Sequence, residues 1–364
     1  MANKKEVFKP KVKEVKLTGD KDTKINPWSN MGQQTTIQAD SVPKMERNVF
    51  EEIKNKPKSS PTPVKTFNNN SNDKYVIWHI QGGLGKNVAG TALIGDLKST
   101  YPDRKLIMVV SYPEIFLNNP HIDRVFAMGS TPYFYEDYIE GKDSIIFKHE
   151  PYHQTGHITK KKHLIENWCD LLEIPYKKQT PQLFVNYPQK MYNNVWMRPK
   201  PILVLQSNGG PMQGQRYPYS WTRDMPMEIA QEIVNKYSNQ FHIIQITRPD
   251  GYQLKGNIER LDKPLSNLEL FSLLMMAQKR VLIDSALQHA AAAYKLQSTV
   301  LWIGTSPNVF GYDNHKNVVA KLPPTANQLI NSYMFDYQFE NNFHECPYIN
   351  VDEMFDIREV LNSI

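Results

Sequence analysis

Two short stretches of this 364-residue chain carry residue types that could hold a phosphate group or help move a proton. The first is Gly82-Gly83-Leu84-Gly85-Lys86-Asn87, which links an apolar run, YVIWHI, to a segment of helical periodicity, VAGTALIGDLKSTYP. Glycines at such a junction let the chain turn sharply and let amides at a helix N-terminus approach an anionic ligand. The spacing fits neither the dinucleotide fingerprint, whose third glycine is replaced by Val88, nor a Walker loop, so a plain structural turn is the competing reading. The second stretch is Asp284-Ser285-Ala286-Leu287-Gln288-His289 followed by four alanines. Ser285 stands where a helix N-cap belongs, so the unpaired amides of the next turn, with the positive end of the helix dipole, would face a diphosphate. His289, one turn in, either donates to a phosphate or ribose oxygen or simply packs.

Other candidates gather around these two. Ser207-Asn208-Gly209-Gly210 follows a buried run, and Gln215-Arg216 comes just after it. A guanidinium fixed at Arg216 would match the oxygens of a leaving diphosphate in two-point contact. Arg248 and Thr305 close two further apolar runs, at Thr247-Arg248-Pro249-Asp250-Gly251 and Gly304-Thr305-Ser306-Pro307. All of these fall on the carboxyl edge of a parallel sheet, where open α/β folds bind ligands. Glu114, His149 and Glu150 follow apolar runs of the first half and are the candidates to take a proton from an attacking hydroxyl.

The elements that must position these residues are legible as alternating strands and helices. YVIWHI, KLIMVVSY, IDRVFAMG and KDSIIFKHE read as strands of the first half, with a helix at about residues 163–172. PILVLQSN, FHIIQIT, KRVLIDS and STVLWIG read as strands of the second, separated by helices at about 226–237, LSNLELFSLLMMAQ and QHAAAAYK. The alternation predicts an α/β chain with two Rossmann-like domains, each a parallel sheet covered on both faces, joined near residue 198. We expect a disordered basic tail and linker over 1–73, an N-terminal domain over 74–197 and a C-terminal domain over 198–325. A final segment, 326–364, is expected to end in a helix crossing back onto the first domain. Within the tail, SVPKMERNVFEEIKNK has the capping and spacing of a brief amphipathic helix.

Charge sharpens this division. Residues 1–74 hold 15 Lys and Arg against 9 Asp and Glu, whereas the remaining 290 hold 28 against 28, so the net charge of +6 belongs to the tail. Any nucleic-acid contact would therefore be weak, salt-sensitive attraction by the tail and not a groove on the folded part. No run of eighteen apolar residues is present, and the N-terminus lacks the apolar middle of a signal peptide, which predicts a cytoplasmic protein without a membrane span. Cys169 and Cys346 stand apart and outside any metal-ligand spacing, so neither a disulfide nor a zinc framework is expected.

Taken together, the motifs resemble glycosyltransferase family 9, the heptosyltransferase-like enzymes. The run KYVIWHIQGGLGKNVAGTALIGDLKSTYPDRKL with NNPHIDRVF is similar to the family's opening, and ILVLQSNGG, QRYPYSW and LSNLELFSLLMMAQKRVLIDSALQHAAAAYKLQSTVLWIGTSP are similar to its donor domain. The resemblance covers most of residues 75–320. Its most specific part is Asp-Ser-x-x-x-His-x-x-Ala-Ala, followed by a strand and Gly-Thr-x-Pro.

That resemblance implies a GT-B fold, two sheets facing across a cleft, and an inverting enzyme that needs no metal or other cofactor. Its partners would be a nucleotide-diphosphate sugar and a saccharide, lipid-linked or other hydroxyl acceptor. Carried over by position, Asn208, Arg216, Asp284, Ser285, Gln288 and His289 would surround the donor; the reading of the sheet edge adds Ser207, Gln215, Arg248 and Thr305 to that side, and Gly82, Gly83, Gly85, Lys86 and Asn87 to the acceptor loop of the cleft. The one Asp-x-Asp, Asp20-Lys21-Asp22, lies in the tail. Two departures stand out: Gly85-Lys86 replaces the family's Gly-Asp, whose aspartate is the proposed base, and Ala286-Leu287 replaces a Gly-Pro or Gly after the Asp-Ser pair. Glycosylation of hydroxylated DNA bases and a non-catalytic nucleotide-sugar binder remain as alternatives, while a dehydrogenase is disfavoured by the failed dinucleotide fingerprint.

Overall fold

The computed structural model describes residues 73–184, 192–209, 220–321, 346 and 348–364. All of them fall within one compact unit, Phe67–Ile364. The brief helix expected in the tail lies outside the described residues, as do Gln215 and Arg216.

Among the described residues ten strands form two sheets, and every ladder between them is parallel. The first lobe contains β1 (Lys74–Ile80), α1 (Leu84–Gly90), α2 (Ile94–Thr100), β2 (Lys105–Val110), β3 (Arg124–Ala127), α3 (Phe134–Tyr138), β4 (Asp143–Phe147), α4 (Thr155–Ile158) and α5 (Leu164–Leu172). Its strand order is β3-β2-β1-β4, so the chain changes direction between β1 and β4. The second lobe contains β5 (Ile202–Gln206), α6 (Met227–Tyr237), β6 (His242–Ile246), β7 (Ile258–Leu261), α7 (Asn267–Met276), β8 (Lys279–Ile283), α8 (Ala286–Ala293), β9 (Thr299–Trp302), α9 (Pro307–Phe310), β10 (Lys316–Val319), α10 (Val351–Met354) and α11 (Ile357–Ser363). Its order, β10-β9-β8-β5-β6-β7, is the doubly wound dinucleotide-fold order, with its switch point between β5 and β8.

The central strands were legible because both of their faces are buried. Every residue of β5 and β9 is buried, and β1, β2 and β8 are nearly so, which is why they read as unbroken apolar runs. Two strands escaped the pattern. β7 (Ile-Glu-Arg-Leu) is half-buried throughout and β10 (Lys-Asn-Val-Val) is exposed at both ends with Val318 buried; both are edge strands, whose polar residues discourage further pairing and erase the apolar signal.

The C-terminal helix does not cross to the first lobe as expected. Met354, Phe355 and Val360 pack with Ile229, Ile233 and Val318 of the second lobe. The Leu361 carbonyl accepts from the Tyr237 hydroxyl (2.7 Å), and the Ser363 carbonyl from Thr299 Oγ1 (2.7 Å). An apolar face on α6 and the edge strand β10 offered the nearer burial.

The larger hydrophobic cluster runs through both lobes, joining Trp78, Val88 and Trp168 to Leu287, Ala291 and Phe310. The lobes meet where α1 and α8 begin. A β-carbon placed on Gly85 would come within 3.3 Å of the Ala286 α-carbon and 3.0 Å of His289 Cδ2, so a side chain there would crowd this approach and glycine does not. Because each of these helices follows directly on a sheet's carboxyl edge, the contact brings the two switch points together.

Candidate active site

At the first switch point the glycine loop leaves β1 with Gly82 at φ +112°, a conformation that side chains rarely adopt. The Gly82 amide donates to Ser111 Oγ (3.1 Å) after β2, while Asn87 Nδ2 donates to the carbonyls of Gly82 (3.2 Å) and Gly83 (3.0 Å). Asn87 is thus a brace for the loop, fully buried beneath it. Lys86 turns inward with only 6% of its side chain exposed, pairs with the Glu150 carboxylate, and sets its ammonium 5.0 Å from the centre of the Tyr152 ring. Glu150 arrives from the end of β4, where it caps the short turn Pro151–His153 by accepting from the Tyr152 amide (3.4 Å).

These groups open into a cavity of about 450 Å³ at the β1/β4 edge, whose polar lining includes His79, Lys86, Lys148, His149, Glu150 and His153. Burial, with the nearby Lys148 charge, holds His79 below its ordinary pKa. His149 is exposed on the rim. Glu114 is placed elsewhere: its Oε1 accepts from Asn267 Nδ2 (2.6 Å) on α7, so it fastens one lobe to the other and does not line this cavity.

At the second switch point Ser285 caps α8 as its sequence implied. Its Oγ accepts from the Leu287 amide (3.2 Å) and donates to Gln206 Oε1 (2.8 Å) at the end of β5, tying β8 to β5. Asp284 beside it is buried, and desolvation raises its pKa against the opposing pull of Arg223 and Thr305. Thr305 is itself buried on the loop after β9. Gln288 and His289 are engaged within the second lobe: Gln288 Nε2 donates to the Phe310 carbonyl (2.9 Å), and His289 Nδ1 lies 2.7 Å from the Tyr312 hydroxyl. Burial, reinforced by His163 and His315, pushes His289 down to about 3, so it is neutral at ordinary pH.

One strand further along the same edge, Asn208 is the hub of a buried network. Its Nδ2 donates to Asp224 Oδ2 (3.2 Å), and its Oδ1 accepts from Thr247 Oγ1 (2.6 Å). Arg248 is 4% exposed, and all three guanidinium nitrogens are bonded internally: to Asp224 (2.8 Å), to Asp250 (3.3 Å) and to the Gly209 carbonyl (2.6 Å). Ser207 is fully buried and accepts from Gln245 Nε2 (2.9 Å). This network floors a second cavity, about 460 Å³, with Trp221, Tyr252 and Tyr348 among its walls.

Neither the protein-family models nor the curated proteins contain a match to this chain. Solved structures do. A glycosyl transferase family 9 protein from Veillonella parvula DSM 2008 superposes with a TM-score of 0.56 at 11% identity, over 80% of this chain and 96% of its own. The ADP-heptose lps heptosyltransferase II of E. coli gives 0.50 at 13%, over 67% and 89%. The iron-containing dodecameric heptosyltransferase TibC, in complex with ADP-D-β-D-heptose, gives 0.52 at 14%, over 79% and 72%. The chain has the fold of a family 9 glycosyltransferase.

Within this GT-B fold the structure gathers Gly82, Gly83, Lys86, Asn87, His149 and Glu150 at one switch point. Asp284, Ser285 and Thr305 lie at the other, with Ser207, Asn208 and Arg248 beside them. Residues that the sequence reading did not single out are His79, Lys148 and His153 in the first cavity, Tyr152 beneath Lys86, and Trp221, Asp224 and Tyr252 in the second cavity. Proximity to a strand end could have flagged Lys148, but Trp221 and Asp224 lie well beyond the end of β5 and carried no local signal. Among the described residues no group of three or more His, Cys, Asp or Glu is arranged to hold a metal ion, and no helix is long and apolar enough to cross a membrane.

Proposed function

We propose that this chain is an inverting glycosyltransferase of the family 9 type, which moves a sugar from a nucleotide diphosphate onto a hydroxyl acceptor. The observation that carries the reading is the Lys86–Glu150 pair. Where the family has an aspartate this chain has a lysine, and a carboxylate from the end of β4 meets that lysine at the switch-point cavity. The acceptor sits in this first cavity. Glu150 takes the proton of its hydroxyl as the oxygen attacks the anomeric carbon, whose bond to the diphosphate oxygen breaks on the opposite face. The departing diphosphate is received near the start of α8, where the positive end of the helix dipole offsets its charge without a metal. Asn208, Arg248 and Asp224 hold the β5 and β6 loops rigid, and the second cavity accepts the nucleoside. Arg216 would add its charge to the same diphosphate. The N-terminal domain, 74–197, is then the acceptor side and the C-terminal domain, 198–325, the donor side.

The test is a thermal-shift screen with UDP-glucose, GDP-mannose, ADP-glucose and ADP-heptose, followed by assay of nucleotide diphosphate release. A donor that binds the folded state at 100 times its Kd raises stability by about 2.7 kcal/mol. Glu150→Gln should keep that shift and lose about 10²–10⁴-fold in turnover. If no donor shifts the melt or releases its diphosphate, the reading fails; if Glu150→Gln turns over normally, the base assignment fails alone.

A further inference from the structure

Glu150 and Lys86 belong to the first lobe, yet part of what braces them comes from the second. Tyr152 is the intermediary. Its amide is held by the Glu150 carboxylate, its ring lies under the Lys86 ammonium at 5.0 Å, and that ring and the ring of Phe310 on α9 meet in a T-shaped pair, with centroids 6.3 Å apart at 82°. His157 closes the triangle, 4.8 Å from Tyr152 and 5.6 Å from Phe310. Phe310 is itself fixed. It is 9% exposed, its carbonyl accepts from Gln288 Nε2 on α8, and the start of α9 is capped by Ser306, whose Oγ accepts from the Asn308 amide (3.2 Å).

We infer that Phe310 is a positioning residue for the Lys86–Glu150 pair, acting through the Tyr152 ring. The physical case is one of constraint. A lysine ammonium on a four-carbon stem is mobile unless several contacts fix it, and here the aromatic face supplies the contact that the carboxylate does not. That face keeps its angle only while neighbouring rings pack against it. The first lobe supplies His157 and the second supplies Phe310. Because Gln288 anchors Phe310 and lies in the helix that Ser285 caps, the same chain of contacts links the α8 terminus to the carboxylate across the interlobe seam. The assignment of Glu150 as base, made above, is what gives this positioning a catalytic meaning.

The test reads Lys86 directly and needs no substrate. Full-length protein is labelled with limiting acetic anhydride, and acetylation of Lys86 is measured by peptide mass spectrometry against Lys105 and Lys316. Phe310→Leu and Tyr152→Leu should each raise Lys86 labelling several-fold with the reference lysines unchanged, and Tyr152→Phe, which keeps the ring face, should restore the wild-type rate. If Phe310→Leu unfolds the chain, all lysines rise together, and the volume-conserving Phe310→Met takes its place. Lys86 labelling that stays at the wild-type rate in Phe310→Leu or Phe310→Met overturns the inference, as does a Tyr152→Phe variant labelled as fast as Tyr152→Leu. Raised labelling beside an unimpaired Glu150→Gln enzyme would leave the positioning intact and remove the base assignment.

Discussion

His163 of the first lobe and Gly311 of the second share a hydrogen bond that fixes a proton: His163 Nε2 donates to the Gly311 carbonyl at 2.9 Å, while Nδ1 accepts from the Ile165 amide at 3.2 Å. With both nitrogens engaged in this way the ring has no place for a second proton, and burial pushes its pKa down to about 4. His157 is pushed to about 4 by burial and by His153, and His289 to about 3. All three lie at or beside the interlobe seam.

The sign of the consequence follows from linkage. Unfolded, each histidine titrates near 6.5; folded, each resists protonation until about pH 4 or below, so acid favours the unfolded state. The stability they contribute is whole above about pH 6.5 and declines as pH falls toward 4. Melting temperature measured from pH 7.5 to 4 should show that fall, and His157→Phe, which keeps the ring stacking against Tyr152 and Phe310, should flatten it. An unchanged slope in His157→Phe would contradict the assignment.

Gly85→Ala tests the contact between helix starts. The new methyl would meet the Ala286 backbone and a histidine already pinned to Tyr312, so neither neighbour yields easily. We expect a loss on the order of 1–3 kcal/mol, typical of overpacking, and a lower melting temperature by calorimetry. Gly83→Ala, where a β-carbon meets nothing within 4 Å, is the matched control and should melt close to wild type.

Arg248→Lys should be far from conservative. The guanidinium satisfies Asp224, Asp250 and the Gly209 carbonyl at once, and a lysine cannot reproduce that fork. Asp224 is 9% exposed and would keep an incompletely paired charge, which predicts a loss of about 3 kcal/mol. A denaturant titration of the donor-free protein measures it. A variant as stable as wild type would show that the fork is not what holds Asp224.

How far the sequence could be read depended on distance along the chain. The Ser285 cap, the buried strands and the Gly82 turn are local, and each left its mark in residue types a few positions apart. The Lys86–Glu150 pair spans 64 residues and was visible only as two separate candidates. Tyr152 and Phe310, 158 positions apart, left no mark, because edge-on ring packing demands no pattern in either local sequence. The placement of α11 was misjudged for a similar reason: an amphipathic helix shows that it will bury a face, not which surface will cover it. Arg248 illustrates the converse, since a basic residue at a strand end reads the same whether it awaits an anion or is already bound to Asp224.

The two members of the Lys86–Glu150 pair should not be equivalent on removal. Lys86 is 6% exposed at its side chain and Glu150 33%, so deleting the carboxylate strands a charge in the interior, whereas deleting the ammonium leaves a carboxylate that water can still reach. Glu150→Gln should therefore cost about 1–3 kcal/mol of stability, while Lys86→Met, which fills the same space without a charge, should cost under about 1 kcal/mol. The double variant should regain most of what Glu150→Gln loses, because the charge that needed compensation is gone. Thermal melts of the four proteins at one pH settle the order. If Lys86→Met proves the more damaging single change, then Tyr152 and Glu150 depend on the ammonium more than it depends on them, and the pair is held together from the opposite end.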